Sequence, residues 1–463
     1  MDEREQMRRM LESILGPDGA EEAMRALEAS GADPTEWAKA SGFGQNPQAL
    51  AAAMQQMQRI LTADDGGESD WRFAHDVARQ SAHAGGDPAV TAAQAAKVRS
   101  VLSVADLWLD AATELPPAGG AHVAASRAEW VERTLPTWRA VADPIGMSVA
   151  QALSGVLEHQ LDGEPPEAMA QLPGGMDLSR LVRKLGRLGF AMQVGQGAGT
   201  LAREVFGGTD TGLPLLTGND LLLVPANVEA FAEGLDAELD EVWHFLAVRE
   251  AATARLFTHV PWLRAHLLGA VDAYARGIEI DAEQMEEAVS SIEVTDVEQL
   301  RNALSAGIFA PHRTPDQERA LVRLETALAL VEGWVEEVTA TAVAPHLPHA
   351  VPMREMLRRR RAAGGPAEDT FRQLVGLELR PHRARDAAKL WAIIAREHGV
   401  SGRDALWAQL DLFPTAEDLD HPELFGDRRA EDEDISADLD AALEAILSDT
   451  GTDDAPRESP EEN

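Results

Sequence analysis

Apolar residues recur every three to four positions along most of this chain, and stretches that alternate polar with apolar are few. That period is the α-helix's, so the pattern predicts a mainly α, multi-helical core with at most a small β element. Helical patterns run at about Ser69 to Ala84, Ala89 to Leu115, Ser126 to Val141 and Ser148 to Gln160. Before them, residues 5–62 read as short helices broken by turn signals such as GPDG at Gly16 to Gly19 and GADP at Gly31 to Pro34. A longer helix spans Leu178 to Phe206, where Gly195, Gly199 and Ala202 have the spacing that lets two helices cross closely. LLLVP (Leu221 to Pro225) is the best strand candidate, apolar and bounded by Asn219 and Pro225. The next helix, capped by Asp236 or Asp240, runs to about Thr258, and Pro261 opens another that reaches about Ala275.

Punctuation divides the chain into four parts. Residues 1–66 read as a helical N-terminal extension and 67–175 as a helical unit ending in a linker or ordered loop, EPPEAMAQLPGG (Glu164 to Gly175). Residues 176–425 form the motif-bearing unit, and 426–463 an acidic tail. From Ala416 to Asn463 there are 18 acidic residues against 3 basic ones, a composition that predicts disorder. Within the tail, Ile435, Leu439, Leu443 and Ile446 keep helical spacing, a short amphipathic segment suited to a partner's groove or to weak packing on its own body.

Composition narrows the function. A chain of 463 residues with 45% hydrophobic content can bury a large core. MDEREQMRRMLESILG lacks the basic flank and apolar run of a signal peptide, and no segment approaches the roughly 20 apolar residues of a membrane span, so a cytoplasmic globular protein is expected. A net charge of −37 repels nucleic acid and anionic lipid. Neither nucleic acid nor a membrane is expected as a partner, and a peptide or protein partner is compatible with this charge. One local exception is the basic run Arg358 to Arg361, either a solvated helix face or a contact for an acidic partner or the chain's own tail. With no cysteine, disulfides, thiol catalysis and thiolate zinc sites are excluded, and any metal needs His, Asp or Glu. GQGAG lacks the GxGxxG spacing and follows no strand, which makes it a packing feature and not a phosphate loop.

Candidate chemistry concentrates in VREAATARLFTHVPWL (Val248 to Leu263). Together with GFAMQVGQGAGTLAREVFGGTDTGLPL (Gly189 to Leu215), VPANVEAFAEGL (Val224 to Leu235), VPWLRAHLLGAV (Val260 to Val271), LVGLELRPHRARDAAKLW (Leu374 to Trp391) and ALWAQLDLFPTAEDLDHP (Ala405 to Pro422), it resembles the actinobacterial zincin-like family of zinc-dependent metalloproteases over roughly Asp70 to Phe425. The resemblance implies a zincin-like fold, a bound zinc, and peptide or amide hydrolysis, with Glu250 as general base. In such an HExxH helix two histidines one turn apart hold the metal; here Arg249 and Thr253 stand at those positions. Arginine stays protonated and offers no lone pair, and a neutral threonine hydroxyl is a poor substitute. The resemblance further implies variation at the first ligand position, so Thr253 is the sharper departure. Two residues are candidates for a third ligand. His259 has the spacing of the third histidine in HExxHxxGxxH, although Leu256 replaces its glycine, and Asp272 lies nearer the carboxylate position of thermolysin-like proteins.

A purely structural account stands beside this one. Glu250 then pairs with Arg255 or Arg264, and His259 caps its helix or bonds a carbonyl. His244 faces another side of the helix, and His346 and His349 flank Pro348 in a loop that could reach a distant site. Two functional classes follow: a zincin-like hydrolase with unusual metal ligands, and a catalytically silent helical scaffold that binds a protein partner.

Overall fold

The computed structural model describes residues 67–161, 178–233, 235–276, 314–362 and 383–431, with 439 and 441. The expected N-terminal extension, the Glu164–Gly175 loop and nearly all of the tail's amphipathic segment lie outside the described residues. The chain is mainly helical: α1 (Glu68–His83), α2 (Ala92–Leu109), α3 (Arg127–Leu161), α4 (Leu178–Ala202), α5 (Pro225–Ala232), α6 (Leu239–His259), α7 (Pro261–Arg276), α8 (Pro315–Val343), α9 (Ala350–Ala362), α10 (Ala384–Ala405) and α11 (Ala416–Asp420). β1 (His122–Ala124) pairs in parallel with β2 (Leu221–Leu223), His122 opposite Leu221. Among the described residues no helix is long and apolar enough to cross a membrane.

Local chemistry accounts for many of the boundaries. Thr91 and Gln94 form a reciprocal capping box at the start of α2, and Thr314 and Gln317 do the same for α8. The first helical residues of α5 and α8 are Pro225 and Pro315, whose missing N–H costs nothing there. At α6 the N-cap is Glu238, with no side-chain cap bond, and not Asp236 or Asp240; Asp240 lies inside the first turn and pairs with Lys97. The expected pair Ser126–Val141 and Ser148–Gln160 is one helix, α3, which continues through Pro136 and Pro144.

Packing is organised around α6. From Phe245 to Leu256 every residue is buried, and Ala247, Ala251, Ala252 and Ala254 let neighbours approach on all sides. α2, α8 and β2 pack on it. The close crossing expected at Gly195 and Gly199 joins α4 to α1: a Cβ there would lie 2.4 Å from the carbonyl oxygens of Ala74 and Ala78 respectively. Residues on both sides of the 175/176 boundary, from Trp71 to Phe425, enter one hydrophobic core. Trp334, Trp391 and Trp407 cluster where α8 meets α10, and Asp404 of α10 accepts from Thr113 Oγ1, in the segment after α2, at 2.6 Å and from Trp334 Nε1 of α8 at 3.0 Å.

Candidate functional site

On α6 the residues Leu246, Arg249, Glu250 and Thr253 follow the i, i+3, i+4, i+7 spacing and so share one face. Together with Thr209, Asp210, Glu332 and Arg361 they line a cavity of about 20 Å3, room for about one water molecule.

Glu250 is buried and its carboxylate accepts four hydrogen bonds. Gly208 N donates to Oε1 at 3.0 Å and Leu222 N at 3.3 Å; Thr209 N donates to Oε2 at 3.1 Å and Thr209 Oγ1 at 2.7 Å. These donors come from β2 and from the loop after α4, so one side chain fastens two segments to the central helix. The loop can approach because Gly207 and Gly208 carry no Cβ; at Gly207 one would lie 2.4 Å from Oε2. Burial pushes the Glu250 pKa up to about 7, against the four donors, which favour the charged form.

Arg249 reaches across the cavity to α8, where its Nη2 donates to Glu332 Oε1 at 2.7 Å. Arg361, at the end of α9, binds the other Glu332 oxygen and also Asp210 Oδ1 at 3.3 Å. Burial opposes ionisation of Glu332, but Arg249 and Arg361 outweigh it and hold its pKa below the ordinary glutamate value. Burial likewise works against the Arg361 cation, and Glu332 and Asp210 overcome it, raising its pKa. Thr253 Oγ1 donates to the carbonyl of Arg249 at 2.9 Å, within its own helix.

The remaining sequence candidates lie elsewhere. His259 Nε2 sits 3.2 Å from the Pro117 carbonyl at the far end of α6, and Asp272 pairs with Arg276 on α7, so the structure brings neither to Glu250. Nor does Glu250 pair with Arg255 or Arg264. Arg255 is buried against Asp106 and Asp110, and Arg264 binds the carbonyls of Pro214 and Leu216. His244 and His346 both stack on Trp108, and His349 pairs with Glu241. The basic run is largely committed inward: Arg358 binds Glu336, Arg360 lies over the Phe206 ring, and Arg361 joins the cavity. Thr209, Asp210, Glu332 and Arg361 are the site residues that sequence reasoning missed. One signal was available for Glu332, the sole charge in the otherwise apolar helical run TALALVEGWV, since such a residue is seldom buried without a partner.

The donor set does not fit zinc. At the two motif ligand positions a guanidinium points at the carboxylate opposite and a hydroxyl donates to its own helix, while Glu250 has each oxygen engaged by two donors. Among the described residues no group of three or more His, Asp or Glu side chains is placed to hold a metal ion.

Fold and site together define a mainly helical protein whose central helix carries a buried glutamate, fastened by β2 and by the loop after α4. A family model for zincin-like metallopeptidases matches residues 70–425, and the chain belongs to that family. No curated protein matches it. Among solved structures, the crystal structure of a candidate hydrolase with a novel fold, from Chloroflexus aurantiacus, is similar with a TM-score of 0.52; the two share 17% identity over 78% of this chain and 98% of that one. At that identity the likeness concerns the fold alone.

Proposed function

We propose that this protein is a catalytically silent member of the zincin-like metallopeptidase family, a helical scaffold that binds a peptide or protein partner without cutting it. The observation that carries this reading is the ion pair between Arg249 and Glu332. A fixed cation on the Glu332 carboxylate repels a divalent ion and supplies no lone pair for one. The small cavity supports it as well, since about 20 Å3 does not admit a peptide bond beside Glu250.

A hydrolase is the competing reading, and one observation favours it: a carboxyl group titrating at about 7 has the pKa suited to a general base at neutral pH. Elemental analysis and peptidase assays on the full chain, with and without a chelator, separate the two. We expect zinc far below stoichiometry and no chelator-sensitive cleavage. Stoichiometric zinc, with activity that disappears in Glu250→Gln, would establish the hydrolase. A second arm tests the geometry by restoring the imidazoles in Arg249→His/Thr253→His. That variant should gain zinc affinity, and the gain should vanish on adding Glu332→Gln but survive Asp272→Ala or His259→Ala.

A further inference from the structure

Beside the Glu250 site lies a larger cavity, about 240 Å3, between the last turns of α6, the start of α7 and the segment from Pro214 to Asp220. Thr209 lines both spaces, so the two are neighbours across one side chain. The exposed residues Thr217 and Gly218 border the cavity, which gives it an opening to solvent.

The cavity's cation is Arg264. A guanidinium has five N–H donors, and three are accounted for: Nη1 donates to the carbonyls of Pro214 at 2.7 Å and Leu216 at 2.8 Å, and Nη2 to Thr137 Oγ1 at 3.2 Å. Nε–H and one N–H of Nη2 are left without an acceptor among the described residues. No carboxylate there lies within ion-pair distance of Arg264, whereas Arg249, Arg255, Arg358 and Arg361 all have one. Burial lowers the Arg264 pKa, and no ion pair among the described residues offsets it. The Thr258 hydroxyl on the same wall also makes no hydrogen bond to a described residue. Pro214, Leu216, Ala254 and Phe257 supply the apolar part of the remaining lining, and Thr209, Thr217, Asn219 and Asp220 the polar part.

We propose that this cavity binds a carboxylate carried by a short apolar group, the carboxylate held on the free edge of Arg264 with the Thr258 hydroxyl as a further donor, and the apolar part packed against Leu216 and Phe257. Arginine's planar fork matches a carboxylate in two parallel hydrogen bonds, which are stronger than neutral ones. A monoanion fits better than a phosphate dianion because Asp220 also lines the cavity, although Arg133 Nη1 at 3.2 Å and Ala121 N at 2.9 Å engage it. The volume suits a single residue-sized group and is too small for a folded partner. Such a carboxylate belongs either to a free short-chain acid or to the last residue of a peptide. The proposal is independent of whether the Glu250 cavity performs chemistry.

Isothermal titration calorimetry on the full chain tests it with three probes: 4-methylpentanoate, a tetrapeptide ending in leucine with a free carboxylate, and the same peptide as its C-terminal amide. We expect at least one carboxylate probe to bind, and the amide to bind roughly tenfold more weakly than the free peptide or not at all, the loss of one charge-assisted hydrogen-bonded pair. Binding of the peptide acid without 4-methylpentanoate assigns a peptide terminus, and the converse assigns a small acid. Arg264→Gln should abolish binding. Because Arg264 also holds the 214–216 backbone, Ala254→Leu is the second variant: it fills the cavity and leaves Arg264 in place, and although overpacking a buried helix position lowers the melting temperature, it should remove binding from a chain whose circular dichroism still reports the helical fold. No binding by either carboxylate, equal binding by acid and amide, or undiminished binding by Ala254→Leu overturns the proposal.

Discussion

Glu250 is pulled in two directions at once. Burial raises its pKa from an ordinary 4.5 to about 7, while three backbone N–H groups and a hydroxyl favour the carboxylate. Below about pH 4.5 the carboxyl group is protonated in both folded and unfolded chains, and the folded state has its full advantage. As pH rises toward about 7 the unfolded chain releases the proton first, so this contribution shrinks and then levels off above the folded pKa. The stability difference between the parent and Glu250→Gln should therefore fall with rising pH, by an amount on the order of 3 kcal/mol over that window. Denaturant titrations at several pH values check this, and two parallel curves would show that folding does not shift the Glu250 pKa. Sequence pointed to Glu250 because the motif carries its own spacing. Its partners were not legible, since Thr209 lies 41 positions away and the Arg249–Glu332 pair spans 83, separations for which no local pattern exists.

Helices differ in how much of their packing the sequence discloses. The crossing of α1 and α4 was readable because close approach demands small residues at one-turn spacing, and Gly195 and Gly199 supply them. Replacing Gly195 by alanine gains up to about 1 kcal/mol of helix propensity, yet the new Cβ meets a backbone carbonyl that cannot swing aside, and such overpacking costs about 1–3 kcal/mol. Gly189, on the same helix, has nothing within 4 Å of its would-be Cβ. Thermal melts should thus separate the two: Gly195→Ala lowers the melting temperature and Gly189→Ala raises it. Equal effects would mean the helices are further apart than described. The continuity of α3 was not readable, because Pro144, between the two expected helices, normally marks a helix end, and only the packing of α4 and α1 along α3 reveals that the helix runs on. β1 was missed for a similar reason. Three residues, His122–Ala124, carry no alternation of their own and become a strand only beside β2.

For the molecule as a whole, periodicity and composition were enough to anticipate a mostly helical protein with a minor β element, because both are properties of short windows. How distant windows meet is another matter, and the two-stranded sheet makes it concrete. The segment before β1 and the one before β2 are hydrogen-bonded across 99 positions, Ala121 N donating to Asp220 Oδ1. Glu250 then takes the amide of Leu222 from within β2. Closing so long a loop costs chain entropy before any contact repays it, whereas the backbone bonds within α6 and within α7 join residues only four apart. Order in time follows: the local bonds of α6 and α7 form early, and the Glu250 cavity is finished only when β2 and the loop after α4 dock on α6. Pulsed hydrogen exchange during refolding should accordingly protect the amides of α6 and α7 before that of Leu222, and simultaneous protection would rule out such a sequence. A chain halted midway would hold its central helix with the carboxylate still facing water, a polar group waiting for the backbone that will enclose it.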